Sequence, residues 1–315
     1  MNIPRTHVIF NPASAAGTTG RRREEILDAV RRHIDPDFSL FVTDGPRAAT
    51  GSAREAARRG TDLLIAVGGD GTIQEVVNGL FSGREPLNHR FELGFINAGT
   101  GHGLAQSLGW PRGLEDQCAA IGLGIVRRID IGRAVFADGD GRTVERYFVN
   151  ECQAGIGGEV VKEVQAGHKR FGGFLAFGLA TLRTAILVPD RTITYAVDGE
   201  PAVTGPFVGI VAANGHVMAG GMKLAPRALI GDGRLDILLM HGQTTFERLR
   251  NFPKIYSGRH LASPKFGYLR GRCLTLDSDE DVPFEADGEL FGHLPCQIEI
   301  LPGALKLRTD RPAKG

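Results

Sequence analysis

Two kinds of apolar pattern take turns over the first 125 or so positions of the chain. Short, nearly unbroken runs of Ile, Val, Leu and Phe (His7–Phe10, Phe38–Val42, Leu63–Val67, Leu93–Ile96) predict strands buried on both faces. Between them Arg21–His33, Ala48–Arg59 and Ile73–Leu80 repeat their apolar positions at helical spacing. Strands and helices in alternation predict a parallel sheet covered by helices. Beyond about Ile125 the texture changes to many short β-like runs, such as Tyr147–Asn150, Thr192–Val197, Val208–Ala213, Leu235–Met240, Cys273–Leu276 and Ile298–Leu301. The expectation is an α/β domain over residues 1–125 and a mostly β domain over 126–299, with the segment from about 300 to 315 free to return to the first. One helical pattern, Phe171, Phe174, Leu175, Leu182 and Ile186, interrupts the β-rich part. It reads as an apolar face packed on a core or, with Lys169 and Arg170 beside the aromatics, as a lipid portal.

Composition narrows the partners. With 37 basic and 36 acidic residues in 315 the formal charge is +1, which gives no general drive toward nucleic acid or an anionic membrane, so any phosphate or membrane contact must be local. Cys118, Cys152, Cys273 and Cys296 are far apart and form no C-x-x-C pair, which argues against a zinc site or a disulfide framework and for a reduced, cytoplasmic setting. The first residues lack the apolar core of a signal peptide. The longest greasy run, Phe171 to Pro189, holds Arg183 and several glycines, so no transmembrane segment is expected.

Candidate chemistry gathers where the predicted strands end. Each of the first four runs into a loop of small or polar residues: Asn11 to Gly17, Thr43-Asp44-Gly45, Gly68-Gly69-Asp70-Gly71-Thr72, and Asn97-Ala98-Gly99-Thr100-Gly101. In an open α/β sheet the ligand crevice lies beyond the carboxyl ends of the strands, so all four loops are placed to face one site. The chain has no G-K-[ST] loop and no G-x-G-x-x-G after a strand, which excludes the two commonest nucleotide fingerprints. In Gly68 to Thr72 the glycines let a backbone approach a ligand, Thr72 can cap the helix or bond a phosphate oxygen, and the helix N-terminus favours an anion. Asp70 is the discordant residue. A carboxylate there repels a polyphosphate unless a divalent cation or an attacking hydroxyl stands between them.

These residues carry a resemblance to the diacylglycerol kinase catalytic family, which includes sphingosine kinases and bacterial lipid kinases. G-G-D-G-T followed by Glu75, Asn78 and Gly79 resembles its nucleotide signature, and Phe10-Asn11-Pro12, Thr43 and Gly99-Thr100-Gly101 resemble its other nucleotide loops. Gly155-Ile156-Gly157, Asp232-Gly233-Arg234-Leu235-Asp236, Asp287-Gly288-Glu289 and Ile300 to Leu305 match later motifs in order. The resemblance implies an α/β nucleotide domain, a β-sandwich-like second domain and an active site in the cleft between them. It implies ATP held by Asn11, Thr43, Gly68, Gly69, Asp70, Gly71, Thr72, Glu75, Thr100, Gly101 and His102, with Mg2+ bridging the phosphates. Asp70 and Glu289 are the candidate catalytic residues, each matching a position to which the family assigns the base. A structural magnesium in bacterial relatives would map to Asp232 and the carbonyls of Leu229 and Arg234. The bland readings are a turn at Asp232 and a hairpin at Asp287-Gly288. His102-Gly103 depart from the family's Asn-Asp, although sphingosine kinases have a small apolar residue before Leu-Ala, as Gly103-Leu104-Ala105 reads here.

The function implied is an ATP-dependent lipid kinase acting on a primary hydroxyl of a diacylglycerol-like or long-chain-base lipid at a membrane surface, with transient peripheral contact and room for a homodimer. The rivals are an NAD kinase-like enzyme, motivated by the same glycine turn and by Asn150-Glu151, and a catalytically weak nucleotide- or lipid-binding relative, motivated by His102.

Overall fold

Leu63–Gly68 is buried at every position, as expected of a central strand covered on both faces, and the first unit is organised around it. The computed structural model describes residues 5–99, 102–167, 183–184 and 187–310. Thr100, Gly101 and most of the Phe171–Ile186 pattern, Lys169 and Arg170 included, lie outside the described residues. The chain divides into a unit of residues 1–131 with 302–315, and a second unit of residues 132–301.

In the first unit β1 (Thr6–Phe10), α1 (Arg23–His33), β2 (Ser39–Val42), α2 (Ala48–Arg58), β3 (Leu63–Gly68), α3 (Asp70–Leu80), β4 (Glu92–Asn97), α4 (Gly103–Leu108) and α5 (Leu114–Gly122) follow one another. The sheet order is β2-β1-β3-β4, every pair parallel. The C-terminal strand adds to β4 in the same sense, with Leu307 opposite Leu93. Helix α1 turns Ile26, Leu27, Ala29 and Val30 inward, with Glu24 and Glu25 in its first turn and Arg31, Arg32 and His33 in its last, each sign suited to the helix dipole. On α2 the inward residues are all alanine, Ala49, Ala53, Ala56 and Ala57, so α3 can come close. A Cβ on Gly79 of α3 would stand 2.3 Å from the Thr50 carbonyl oxygen, so glycine there sets the crossing of the two helices. Helix α3 begins at Asp70, three residues before the apolar periodicity starts at Ile73.

The second unit is antiparallel. Strand β5 (Ile125–Ala137) pairs with β6 (Thr143–Phe148), so the change of texture at Ile125 marks the start of one long strand. There follow β7 (Glu151–Gly155), α6 (Ile156–Gly167), β8 (Arg191–Val197), β9 (Val203–Ala213), β10 (Leu235–His241), α7 (Thr245–Ser257), β11 (Phe266–Gly271), β12 (Cys273–Asp277), β13 (Pro283–Ala286), β14 (Glu289–His293) and β15 (Cys296–Thr309), whose last residues belong to the first unit. The order β14-β13-β7-β9-β8-β12-β15 runs through the sheet, and β10 and β11 branch from β9. Both faces of β9 are buried: Ile210 and Ala212 enter a core with Phe148, Phe284 and Leu274, while Val211 and Ala213 enter another with Leu238 and Met240. Helices α6 and α7 are absent from the pattern read in the sequence. Gly155-Ile156-Gly157 looks like a loop, and α7 contains Pro253 and hides polar rather than apolar residues.

Candidate active site

Register fixes the first part of the site. Phe10 lies opposite Val42 and Val67, and Gly68 opposite Asn97, so the loops after β1, β2, β3 and β4 leave the sheet at one edge. The ladder continues a step past the strands, with Asn11 N–H donating to the Val67 carbonyl (2.9 Å), Thr43 N–H to Phe10 (2.9 Å) and Ala98 N–H to Gly68 (2.8 Å). Asn11, Thr43 and Gly68 to Thr72 are thereby brought together.

The glycines are required by contact. A Cβ on Gly68 would fall 2.3 Å from Thr72 Oγ1, and one on Gly99 would fall 2.4 Å from Gly69 Cα. Thr72 is buried and does not cap α3; its hydroxyl accepts from Asn11 Nδ2 at 2.9 Å. Asn11 Oδ1 accepts the Ala13 N–H at 3.0 Å, so Asn11 braces the two loops with both polar atoms. Among the described residues no side chain caps α3; the Thr72 and Ile73 N–H groups donate to the Gly69 carbonyl (3.0 and 3.2 Å), which leaves the Asp70 and Gly71 amides to face an anion. Glu75 sits one turn further along, half-buried, its carbonyl accepting from Thr50 Oγ1.

Asp70 has an arrangement that its sequence position did not foretell. One carboxylate oxygen, Oδ2, accepts the Gly103 N–H at 2.9 Å, and the Leu104 N–H also points to the carboxyl group, so Asp70 closes the start of α4. The other oxygen, Oδ1, is shut off from solvent and has no hydrogen-bond partner among the described residues. Burial outweighs the two N–H groups and raises the Asp70 pKa. An orphaned acceptor beside an open helix N-terminus fits a cation-bridged polyphosphate or a hydroxyl donor, since either would supply its missing partner. His102, in a left-handed conformation (φ 53°), is exposed just before α4. Asn97 Nδ2 donates to its Nδ1 at 2.7 Å while Asn97 Oδ1 accepts the Gly99 N–H, which makes Nδ1 the acceptor nitrogen of the ring. Asn97 is thus a bracing residue that the sequence reading quoted only as part of a loop.

Glu289 belongs to the second unit. Asp287 (φ 50°) and Gly288 (φ 84°) form a two-residue turn between β13 and β14, with Ala286 opposite Glu289. The Asp287 carboxylate accepts N–H groups from Val149 (2.7 Å), Asn150 (2.9 Å) and Glu151 (3.1 Å), and Gly288 N–H donates to Glu285 Oε2 at 2.9 Å. The turn that presents Glu289 is therefore clamped by carboxylates. Glu285 is buried and was missed in the sequence, while Glu151, also buried, was read there only as part of a rival's motif. Burial, the Glu285 charge and the Asp287 charge hold the Glu151 carboxyl well above its usual range, and burial pushes Glu285 up to about 7. The two carboxyl groups interact through a side-chain hydrogen bond, which requires one of them to carry a proton.

At Leu229, Asp232 and Arg234, where the resemblance implies a structural magnesium, the structure shows protein partners. Asp232 Oδ2 is paired with the Arg270 guanidinium, Oδ1 accepts the Arg234 N–H at 3.1 Å, and the Leu229 carbonyl accepts the Asp232 N–H at 3.4 Å. Arg270 also reaches Asp236, which is buried and held by Tyr268 Oη at 2.9 Å. A guanidinium already supplies the positive charge, so these residues do not fit a structural magnesium. Among the described residues no group of three His, Cys, Asp or Glu converges on a metal position.

Residues 5–134 match the family described as diacylglycerol kinase catalytic domain, and residues 150–309 match the YegS C-terminal NAD kinase beta sandwich-like domain. The diacylglycerol kinase of Bacillus subtilis (strain 168) is 30% identical over 299 residues, covering 94% of this chain and 93% of the relative. A protein of Stenotrophomonas maltophilia (strain K279a) described as "Probable lipid kinase YegS-like" is 30% identical, covering 98% and 96%. Among solved structures, a diacylglycerol kinase of Bacillus anthracis str. Sterne shares the fold with a TM-score of 0.69 at 21% identity over 98% of both chains, and yeast NADH kinase complexed with NADH does so at 0.54 and 12% identity, covering 98% of this chain and 83% of that one. An α/β unit with an open glycine turn, followed by a sandwich-like unit, defines a kinase architecture. Within it the chain belongs to the diacylglycerol kinase family.

Proposed function

We propose that the protein is an ATP-dependent lipid kinase that transfers the γ-phosphoryl group to a primary hydroxyl of a diacylglycerol-like or long-chain-base acceptor. The observation that carries this reading is the buried, partnerless Oδ1 of Asp70 beside the uncapped start of α3. Backbone amides at Gly69 to Gly71 would hold the phosphates, with Thr43 at the neighbouring loop. Bound with ATP, magnesium would supply charge neutralisation across the phosphates, and Asp70 is the carboxylate placed to hold it. Either Asp70 or Glu289 would take the proton of the acceptor hydroxyl. The rest of the rate would come from positioning, which the bracing of the loops by Asn11 and Asn97 supports.

The NAD kinase-like alternative keeps the glycine turn and loses the second of its two motives. Asn150 and Glu151 are both buried, Asn150 Nδ2 donating to the Val217 carbonyl at 2.8 Å and Glu151 bonded to Glu285. The test is phosphoryl transfer from labelled ATP to a panel of diacylglycerols, monoacylglycerols, long-chain bases and NAD. Transfer to lipid and not to NAD is expected; transfer to NAD alone, or to nothing, would sink the proposal.

A further inference from the structure

Helix α7 is amphipathic in the reverse of the usual sense. Its inward face carries Arg248 and Asn251, both buried. Arg248 is paired with Asp190 and donates to the carbonyls of Val188 and Gln243, and Asn251 Nδ2 donates to Gln243 Oε1 at 3.0 Å. Ile255 is the one aliphatic residue of α7 packed against the core beneath. The outward face carries Phe246, Leu249, Pro253 and Tyr256, spaced three, four and three residues apart and hence on one stripe. Phe246 is 74% exposed, Leu249 45% and Tyr256 41%. Polar residues do the packing and apolar residues meet water, which folding alone does not explain.

The charges around the stripe are of one kind. Arg250 on α7 and Arg259 just past its end are exposed and form no ion pair among the described residues. The acid of the helix, Glu247, is taken up by the Thr244 N–H (2.8 Å) and by Lys265. The capping box at Thr244 and the left-handed Gly258 fix both ends of α7, so the stripe is presented on a preformed helix.

We propose that this face of α7 is an interfacial anchor for an anionic lipid bilayer, with Phe246, Leu249, Pro253 and Tyr256 entering the acyl boundary and Arg250 and Arg259 meeting lipid phosphates. The proposal rests on the reading above, in which the acceptor is a membrane lipid. A second copy of the chain is the less suited occupant. The exposed apolar area of the stripe is about 300 Å², from the ~150–250 Å² of an aromatic side chain, against the ~800 Å² that each partner gives to a stable interface. Two facing copies would also bring Arg250 and Arg259 toward their own kind, whereas an anionic surface neutralises them.

The experiment is co-sedimentation of the whole chain with phosphatidylcholine vesicles, with and without 30% phosphatidylglycerol (about the anionic fraction that gives a clear surface potential), for wild type, for Phe246→Ser/Leu249→Ser and for Arg250→Glu/Arg259→Glu. Wild type should pellet with the anionic vesicles, and each double variant at least about tenfold less. Melting temperatures should match wild type, because all four side chains are exposed. Phosphorylation of a water-soluble short-chain diacylglycerol should be unchanged in the variants, while that of vesicle-embedded diacylglycerol falls. Binding of wild type without phosphorylation of any lipid would refute the kinase reading and leave the anchor standing. Equal pelleting of wild type and variants would overturn the anchor. So would a wild-type dimer in light scattering that Phe246→Ser/Leu249→Ser converts to monomer, since the stripe would then be an interface between copies.

Discussion

Replacing Glu151 by glutamine should stabilise the protein near neutral pH and leave it nearly unchanged in mild acid. Glu151 is 5% and Glu285 1% exposed, and one carboxyl group donates to the other. In the unfolded chain both ionise near ~4.3, whereas in the fold burial, helped by the neighbouring charges, keeps Glu151 protonated well above that and pushes Glu285 up to about 7. Between those values the folded state binds more protons than the unfolded one, so the stability that this pair contributes is greatest below pH ~4 and falls as pH rises through 7. Glutamine has the same shape, can donate its amide to Glu285, and has no proton to lose. A stabilising substitution commonly yields about 0.5–2 kcal/mol, and for a unit of this size about 2–4 °C accompanies each kcal/mol, so Glu151→Gln should melt several degrees above wild type at pH 7, with the gap narrowing toward pH 5. Thermal unfolding followed by circular dichroism from pH 5 to 8 measures the gap directly. If it is the same at every pH, the two carboxyl groups do not share a proton and the reasoning fails.

Three further outcomes are expected. Asp70→Asn should fold and lose about 10²- to 10³-fold in kcat, because the buried Oδ1 is placed for a charge that develops only in the reaction; near-normal turnover in a folded variant would remove Asp70 from the chemistry. Glu289→Gln should lower kcat about 10²- to 10⁴-fold with ATP affinity intact, and a loss confined to ATP affinity would make it a nucleotide contact instead. Arg270→Ala should lower the melting temperature by the equivalent of about 2 kcal/mol, mainly by leaving buried Asp236 with Tyr268 alone, while a chelator changes nothing in wild type; a chelator-sensitive melting curve would restore the metal.

The α/β order was legible because it depends on features a sequence displays: β3 is apolar at five of its first positions, and α1 and α2 bury residues at helical spacing. Helix α7 was not, because its stability comes from Arg248 bonded to Asp190 and from a capping box, which leave an outward-facing apolar pattern that cannot be told from an inward-facing one by periodicity. The start of α3 at Asp70 was hidden for a related reason. Its first turn contributes loop residues to the site rather than apolar residues to the core, so the hydrophobic period begins only at Ile73.

At the site, residue types were legible and their partners were not. Gly68 and Gly69 were read as letting the backbone approach a ligand; what the structure adds is crowding within the protein, where a Cβ on Gly68 would meet Thr72 at 2.3 Å and one on Gly99 would meet Gly69 at 2.4 Å. Thr72 was read as a cap or phosphate ligand; it does not cap α3, and its hydroxyl accepts from Asn11, 61 positions away, which leaves its O–H free to donate. Asp232 was read as a turn residue or, by resemblance, a metal ligand; its partner Arg270 was not legible, because it stands 38 positions downstream and reaches Asp232 only because β11 lies beside β10, with Arg270 opposite Asp236. Glu151 and Glu285 meet through the pairing of β7 with β13, where Cys152 lies opposite Ala286. In each case the charge of one side chain is set by a neighbour that strand register supplies. A motif specifies what a residue can do; whether Asp232 binds an ion or an arginine is decided by the sheet.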